Sequence, residues 1–381
     1  MSEYQYHEWQ AVDRVLTPAE QAAVNNLSSH IEVSSSRAVV TYHWSSFRHD
    51  PRQVLLQYFD GYFYMANWGS LRLMFRFPKG LLDDADVEPY CVDGCVTFET
   101  TGQHQVLNLE FNPEDGESWM EAEAGAGLSL LIQLRADLAD GDYRLLYLAW
   151  LKAMTLEGGM DVDGEGDPDD LAYDHEPPVP PGLKKLSPSL QNFVGTFALD
   201  TFLVQAAAEA SPELRGDRAI NYRDLLGQLA PHERDGFLIR LAEGEPGIGF
   251  ALRKRLSTLA PSAQLPGAAA RTLQQLFQRA RQLEIAEQAR QAEDVHQKHV
   301  AEMKALAARE TQTWQHVNDL LANGRKIASV YDEATQTLEK LQQLAEFQSR
   351  RDDFRAKVGQ LAERYHARPS LIERWSKRGW I

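Results

Sequence analysis

An alternation of residue types near the start of the chain constrains the fold more than any other feature. In YFDGYFYMANWGSLRLMFRFPKGLL (residues 58–82), apolar residues alternate with mostly polar ones from Leu71 to Phe77. Successive strand side chains point to opposite faces, so this pattern predicts a strand of an antiparallel sheet with one buried face. Gly69 is predicted to turn the chain before this strand. We interpret the aromatic run as the middle of a sheet, with a ligand- or base-stacking surface as the alternative.

Similar patterns on both sides extend this prediction. EYQYHEWQAVD and RAVVTYHW precede the run, CVTFET and HQVLNLEF follow it, and two apolar helices broken at Asp140–Gly141 come next. The predicted fold class is α+β: an N-terminal antiparallel-sheet domain with covering helices, an all-α middle segment and a long C-terminal coiled-coil-like helical hairpin. The predicted divisions are a sheet domain, an acidic Pro/Gly linker or loop, a helical domain, a long hairpin and a basic Trp-containing tail. Their bounds are 1–156, 157–182, 183–262, 263–368 and 369–381.

The hairpin is predicted from a heptad pattern in the last third of the chain. Apolar residues at alternating spacings of three and four indicate coiled-coil-type helix pairing. We expect one helix from about Ala268 to Leu321, a turn within Asn323–Ser329 and a return helix over Tyr331–Tyr365. The pattern residues are Val300, Met303, Ala307, Trp314, Val317, Leu320, Ile327, Tyr331, Ala334, Leu338, Leu341 and Ala345.

Charge and composition limit the classes of function. Residues 1–263 have a net charge of −20 and residues 264–381 one of +4. The acidic part repels phosphate backbones, which disfavours a broad nucleic-acid surface there. No run of 18 apolar residues and no secretory signal is seen, and the two cysteines cannot form a disulfide framework. We therefore expect a soluble cytoplasmic protein.

One acidic stretch resembles a calcium-binding loop. DVDGEGDPDD has carboxylates at alternate positions, but Ala172 stands where an EF-hand needs a bidentate carboxylate. We interpret residues 157–182, with nine acidic residues and no Lys or Arg, as a linker or loop, and a weak cation site as the alternative. The candidate ligands are Asp161, Asp163, Glu165 and Asp167.

Two other groups contain metal-ligand residue types at close spacing. They are Cys91, Cys95 and His104, and Glu293, His296 and His299. The first has a longer cysteine spacing than zinc sites usually show and lacks a fourth ligand. The second shares one helix face, but a bundle site needs matching ligands on other helices. We therefore predict no metal and no other cofactor.

A loop-like stretch, YHWSSFRHDP (residues 42–51), contains the residue types of a nucleophilic triad. A hydrolase using His43, His49 and Asp50, with Ser45 or Ser46 nearby, is one hypothesis. The other is that Asp50 caps a helix starting at Pro51. The sequence contains no phosphate-binding loop, dinucleotide fingerprint or nucleophile elbow, and we predict that the chain is not an enzyme.

The C-terminal part suggests two kinds of binding surface. A basic last helix could contact nucleic acid, although acidic residues interleave with its cations. These cations are Arg350, Arg351, Arg355, Lys357, Arg364 and Arg368. The tail after Pro369 is predicted to pack on its own helices or into a partner, since Trp is enriched at binding hot spots. Its predicted partner-binding residues are Leu371, Ile372, Trp375 and Trp380.

Four segments resemble an uncharacterised bacterial family of hypothetical proteins with no known activity, and the resemblance extends over the whole chain. The segments are EYQYHEWQAVDRVLTPAEQAAVNNLSS, YFDGYFYMANWGSLRLMFRFP, RDGFLIRLAEGEP and LAERYHARPSLIERW. The family is encoded beside SWIM-type zinc-finger proteins and sometimes near Swi/Snf-type helicases, which implies a protein partner rather than an activity. We predict a non-catalytic adaptor or scaffold subunit of a bacterial multi-protein system that docks a partner through its helical C-terminal region. The resemblance suggests defence or DNA maintenance as the process, and an accessory nucleic-acid-binding protein is the alternative.

Overall fold

The computed structural model of the chain describes residues 3–112, 127–157, 175–214, 222–245, 247–259, 271–323 and 327–381. Its residues form two compact units, Met1–Glu284 and Ile285–Ile381, which we call the sheet unit and the helical unit. None of the helices in the described ranges has the length and apolar character needed to cross a bilayer.

Within the described ranges, the strands form one seven-stranded antiparallel sheet with the order β2-β3-β1-β4-β5-β7-β6. Gly69 has φ 93°, a left-handed conformation that glycine adopts at low cost, and it turns the chain between β4 and β5 as predicted. The predicted α+β class is confirmed. The strands are β1 (Tyr4–Gln10), β2 (Ile31–Val33), β3 (Arg37–His43), β4 (Gly61–Ala66), β5 (Leu71–Pro78), β6 (Val96–Thr101) and β7 (His104–Phe111).

The helices of the sheet unit are short, and several begin at a side chain that caps the helix. Thr17 and Glu20 form a capping box at α1, in which the Thr17 hydroxyl accepts from the Glu20 amide and the Glu20 carboxylate accepts from the Thr17 amide. The helices are α1 (Pro18–Asn25), α2 (Pro51–Tyr58), α3 (Asp84–Val87), α4 (Gln133–Ala139), α5 (Arg144–Glu157), α6 (Pro188–Thr196), α7 (Thr201–Ala210), α8 (Tyr222–Gln228), α9 (Pro231–Ala242) and α10 (Ile248–Ser257).

The two faces of the sheet bury different cores. On one face, Leu73, Phe75 and Leu109 join the large apolar core formed with α4 to α7 and the start of α11 (Leu273–Ala308). We call this the covered face. On the opposite face, Trp9 and Met74 pack in a smaller core with residues of α1 and α2. We call it the notch face, because part of it borders an open cavity.

The structure corrects the predicted separation of a helical domain at residues 183–262. Phe193, Phe197 and Leu203 are buried in the same core as the covered face of the sheet. The apolar sides of α6 and α7 therefore cover the sheet. Helices α8 to α10 have a small cluster of their own around Leu225 and Leu256.

The helical unit is a packed group of helices. It consists of α11 from Ile285 onward, α12 (Glu310–Asn323), α13 (Ala328–Phe347), α14 (Arg351–Arg364) and α15 (Pro369–Ser376). Most of the heptad positions from 317 onward are buried between these helices, and Val317, Ala334 and Leu338 are fully enclosed. Ile327 is an exception and is half exposed.

The predicted two-helix hairpin is wrong in its second half. The return helix ends at Phe347, and Ser349 has the left-handed φ of 56°. The chain then reverses, and α14 packs back on α13. The local sequence favours this new start, because Asp352 and Asp353 lie in the first turn of α14, where carboxylates interact favourably with the helix dipole.

Candidate functional site

The metal candidates do not form a site in the part of the chain that the structure describes. No group of three or more His, Cys, Asp or Glu side chains is placed there to hold an ion. Glu293, His296 and His299 lie on an exposed stretch of α11, and the Glu293 carboxylate accepts a hydrogen bond from the Gln297 amide. The calcium-loop candidates Asp161, Asp163, Glu165 and Asp167 lie outside the described residues.

Cys91 and Cys95 lie in the turn before β6. Both are half-buried, and the Cys91 thiol points to the carbonyl of Val87 with an Sγ to oxygen distance of 3.7 Å. Burial raises the pKa of the Cys91 thiol, and nearby Glu88 adds to the effect. Burial lowers the pKa of His104, assisted by the positive charge of Arg76. These environments keep both groups uncharged near neutral pH.

The three residues of the hydrolase hypothesis have separate surroundings. His43 packs its ring 5.4 Å from that of Tyr4, with which it is paired across β1 and β3. The His49 ring instead lies 5.6 Å from the Phe47 ring in a tilted arrangement, and the Phe47 ring lies against His7 of the notch face. Asp50 accepts a hydrogen bond from the Arg52 amide at 2.8 Å and caps α2, as the alternative reading predicted. The structure therefore gives Asp50 a structural role and does not orient either imidazole with it.

The basic residues of the last helix lie on two sides of α14. Its buried stripe contains Phe354, Val358 and Leu361. With 3.6 residues per turn, Arg350, Lys357 and Arg364 fall along one flank of this stripe and Arg351 and Arg355 along the other. Arg350 and Lys357 approach the carboxylate of Glu310 at 2.8 and 3.6 Å, Arg351 pairs with Glu346 at 2.9 Å, and Arg368 lies 4.7 Å from the Tyr365 ring. They do not form one continuous basic surface.

The tail packs on its own helices. Leu371 and Trp375 are fully buried, and Trp380 is 5% exposed. The Trp380 indole nitrogen donates to the Gln342 side-chain oxygen at 2.7 Å, and Arg374 pairs with Asp332. Of the four predicted partner-binding residues, only Ile372 keeps a partly exposed side chain. The tail is therefore part of the core of the helical unit, which is the first of its two predicted arrangements, and its partner-binding role stays a prediction.

An open groove lies between α12 and α14 on the same unit. It has a volume of ≈440 Å³ and we call it the docking groove. Trp314 forms its apolar floor together with Leu361, and the Lys357 ammonium lies 5.1 Å from the centre of the Trp314 ring. The residues that line it are Glu310, Thr311, Trp314, Asn318, Lys357, Gln360, Leu361 and Arg364.

The electrostatics of the docking groove depend on one carboxylate. The hydrogen bond from Arg350 lowers the pKa of Glu310, although partial burial opposes it, and Lys357 lowers it further. Glu310 is thus ionised and shared between two cations. Lys357 is the more distant partner and stays exposed, and Arg364 is exposed at the same groove. The groove consequently combines an aromatic floor with a positively charged edge.

The sequence indicated Trp314 only as a heptad residue, not as part of a groove. Trp314 is flanked in the sequence by the polar residues Thr313 and Gln315. A large aromatic ring at a heptad position between polar residues was the one feature of the sequence that could have indicated a partly open site at Trp314. The chain reversal at Ser349, which places Lys357 over that ring, could not be read from the pattern.

Comparison with known proteins adds no relative: the chain matches no protein-family model, no curated protein and no solved structure.

Proposed function

We propose that the chain is a non-catalytic docking subunit that binds a short acidic segment of a partner protein in the docking groove. The observation that carries the proposal is the partly buried Trp314 ring, which forms the floor of an open groove beneath the Lys357 ammonium. The helical C-terminal region remains the docking region, while the groove replaces the tail as the contact surface.

The shape and chemistry of the groove fit a peptide segment. Trp314 and Leu361 offer a surface for one apolar anchor residue, and Trp is a residue type enriched at binding hot spots. Asn318 and Gln360 can hydrogen-bond a peptide backbone at the edges.

The charges select an acidic segment. Glu310 is already held by Arg350 and Lys357, so it repels an incoming carboxylate less than an isolated carboxylate would. Lys357 and Arg364 are both exposed at the groove. Complementary charge at the rim of an interface mainly increases the association rate and makes it salt-dependent.

The family resemblance suggests the first partners to test: a SWIM-type zinc-finger protein of the kind encoded beside members of that family, and then an associated Swi/Snf-type helicase. The experiment is co-purification of the full chain with each neighbouring gene product, followed by titration calorimetry. We expect Trp314→Ala to weaken binding by about 2 kcal/mol, roughly 30-fold, as for a central hot-spot residue.

Lys357→Glu is the sharper variant because its side chain is exposed and its replacement spares the helical core. We expect it to weaken binding about tenfold, with a smaller difference at high salt. Lys340→Glu is the matched control, because Lys340 is exposed on α13 and does not line the groove. Equal loss in both variants, or no neighbour that binds the folded wild-type chain, would contradict the proposal.

Nucleic-acid binding through α14 is the competing function. The basic residues of α14 lie on two sides of its buried stripe, so each side offers only a small positively charged surface to a nucleic acid. Retention of the chain on duplex DNA or on RNA at low salt, with a steep loss as salt increases and a further loss in Arg355→Glu, would favour that function over peptide docking.

A further inference from the structure

We propose that the docking groove binds its acidic partner segment as an α-helix, which presents two carboxylates seven residues apart and an apolar side chain between them. The groove is the one described above, so the proposal rests on the proposed function and adds the conformation and side-chain spacing of the segment. The groove is lined by residues of two helices, α12 on one side and α14 on the other.

The two helices that form the walls of the groove run side by side in the same direction. Arg350, the residue just before α14, lies 2.8 Å from the carboxylate of Glu310, the first residue of α12. Four residues further along each helix, the ring of Phe354 lies 6.0 Å from that of Trp314. Contacts that advance by four residues on both helices require parallel walls, so the groove follows the axes of α12 and α14.

The groove side of α14 repeats with a helical period. Lys357, Leu361 and Arg364 follow one another at spacings of four and three residues and therefore share one face of the helix. Lys357 and Arg364 are thus two turns apart, which corresponds to about 10.5 Å along the axis. Leu361, which forms the floor together with Trp314, lies between the two cations.

A helix laid along the groove reproduces this spacing. Its side chains at positions i, i+3, i+4 and i+7 share one face and extend over the same two turns. Two carboxylates seven residues apart can therefore pair with Lys357 and Arg364, while the apolar side chain between them contacts Trp314. In an extended strand, side chains on one face recur about every 6.6 Å, so carboxylates lie about 6.6 or 13 Å apart and match the two cations less well.

The polar groups of the groove also favour a helical segment. An extended segment brings backbone N–H and C=O groups that need partners once they are removed from water. The amide side chains in the lining are those of Asn318 and Gln360, and the Asn318 amide already donates to the carbonyl of Trp314 at 2.9 Å. A helix pairs its own backbone groups and needs only side-chain contacts, as in other complexes of a helix in a groove.

The test is calorimetric titration of the full chain with three alanine-rich synthetic peptides of about 20 residues, a length at which an isolated helix forms in water. The first has two glutamates seven residues apart and two leucines between them on the same face. The second has the same composition, with the glutamates five residues apart on opposite faces. The third is the first peptide with two prolines on the remote face, which prevent a helix.

We expect the first peptide to bind with a Kd on the order of 0.1 mM. The second should bind about fivefold more weakly, because only one carboxylate reaches a cation. The third should bind at least tenfold more weakly, because its side chains no longer share one face.

A double-mutant cycle between chain and peptide tests the spacing directly. Arg364→Gln and Lys357→Gln should each weaken the first peptide about threefold to fivefold, as expected for an exposed ion pair. Replacing one peptide glutamate by glutamine should cause no further loss in Arg364→Gln, and replacing the other should cause none in Lys357→Gln. Lys340→Gln is the matched control and should keep the wild-type affinity, since Lys340 is exposed on α13 outside the groove.

Two sets of outcomes separate this proposal from the proposed function. Equal affinities of the first and third peptides, no saturable binding of the first, or an equal loss in Lys340→Gln and Arg364→Gln would overturn the helical segment. Docking in the groove would still stand if Lys357→Glu weakened binding of a neighbouring gene product. Neighbour binding that is unchanged in Lys357→Glu, together with no binding of the first peptide, would overturn both.

Discussion

The sheet unit and the helical unit use charged side chains in opposite ways. In the sheet unit, Arg135 and Asp60 are almost completely buried, and Arg135 pairs with Asp13 while Arg76 pairs with Asp60, both at 2.7 Å. In the helical unit, pairs such as Arg374 with Asp332 lie at the surface. Buried pairs fix a geometry and are costly to break, whereas exposed pairs add little to stability.

The buried pairs are placed where chain segments meet. The Asp60 carboxylate also accepts from the amides of Val12 and Asp13 at 2.7 and 2.9 Å, so it joins the segment after β1 to the start of β4. Burial alone would raise the pKa of Asp60, but Arg135 and Arg76 outweigh it and hold the pKa below its usual value. The helical unit instead depends on its apolar core, in which Trp375 is fully buried.

The largest loss of stability is expected in the apolar core of the helical unit. Trp375→Ala should destabilise the helical unit by about 4 kcal/mol, because it leaves a large cavity in a fully buried position. Hydrogen exchange followed by mass spectrometry would show faster exchange in α13 to α15. Trp44→Ala is the control, since Trp44 is 67% exposed, and its expected change is below about 0.5 kcal/mol. Unchanged exchange in Trp375→Ala would mean that the tail does not pack as described.

The next effect concerns the buried charges of the sheet unit. Arg135→Gln should destabilise this unit by about 3 kcal/mol, because Asp13 and Asp60 lose a buried cationic partner. Urea denaturation measures the loss, and exchange in β1 and β4 locates it. A change no larger than that of an exposed arginine would refute the contrast between the units.

A smaller loss of stability, about 2 kcal/mol in the free energy of unfolding, is expected as the pH falls from 7 to 5. His7 has its pKa lowered to about 4 by burial, whereas an unfolded histidine titrates near 6.5. The unfolded chain then binds more protons, so stability decreases as the pH falls from 6.5 towards 4. The Asp60 contribution stays constant down to pH 5, because it is lost only as the pH falls through the usual Asp range and below.

Urea midpoints at pH 7 and pH 5 measure this pH dependence. His7→Phe should remove most of this pH dependence and leave the smaller contribution of His104, whose pKa is also lowered. His296→Gln, at an exposed position, should keep the full dependence. A wild-type chain with equal stability at both values would show that His7 is not buried in its neutral form.

The smallest effect is expected at the surface of the helical unit. Arg374→Gln should change the stability by less than about 1 kcal/mol, and the difference should decrease in high salt. It is the surface counterpart of Arg135→Gln, since each variant replaces one ion-paired arginine by glutamine, Arg135 in a buried setting and Arg374 near the surface. A loss of stability as large as that of Arg135→Gln would show that burial does not determine how much these ion pairs contribute to stability.

The sequence by itself determined the local structure and the class of fold. The alternation from Leu71 to Phe77 specified the covered face, because a strand with this pattern can bury only one side. Thr17 and Asp50 specified helix starts, because their side chains accept hydrogen bonds from amides a few residues away. The heptad spacing likewise specified helices with apolar stripes. These features depend on neighbours in the chain, and a sequence displays such neighbours directly.

Only the tertiary structure decided which surfaces remain open. The pattern could not show that the chain reverses at Ser349 and sets Lys357 over Trp314, since this depends on how α14 packs on α13. It could not show that the tail tryptophans are buried, or that α6 and α7 cover the sheet. His7 appears in the sequence as one residue of an alternating strand. Its unpartnered Nε2 results from the packing of Tyr62 and Phe47 around it, which arrive from distant parts of the chain.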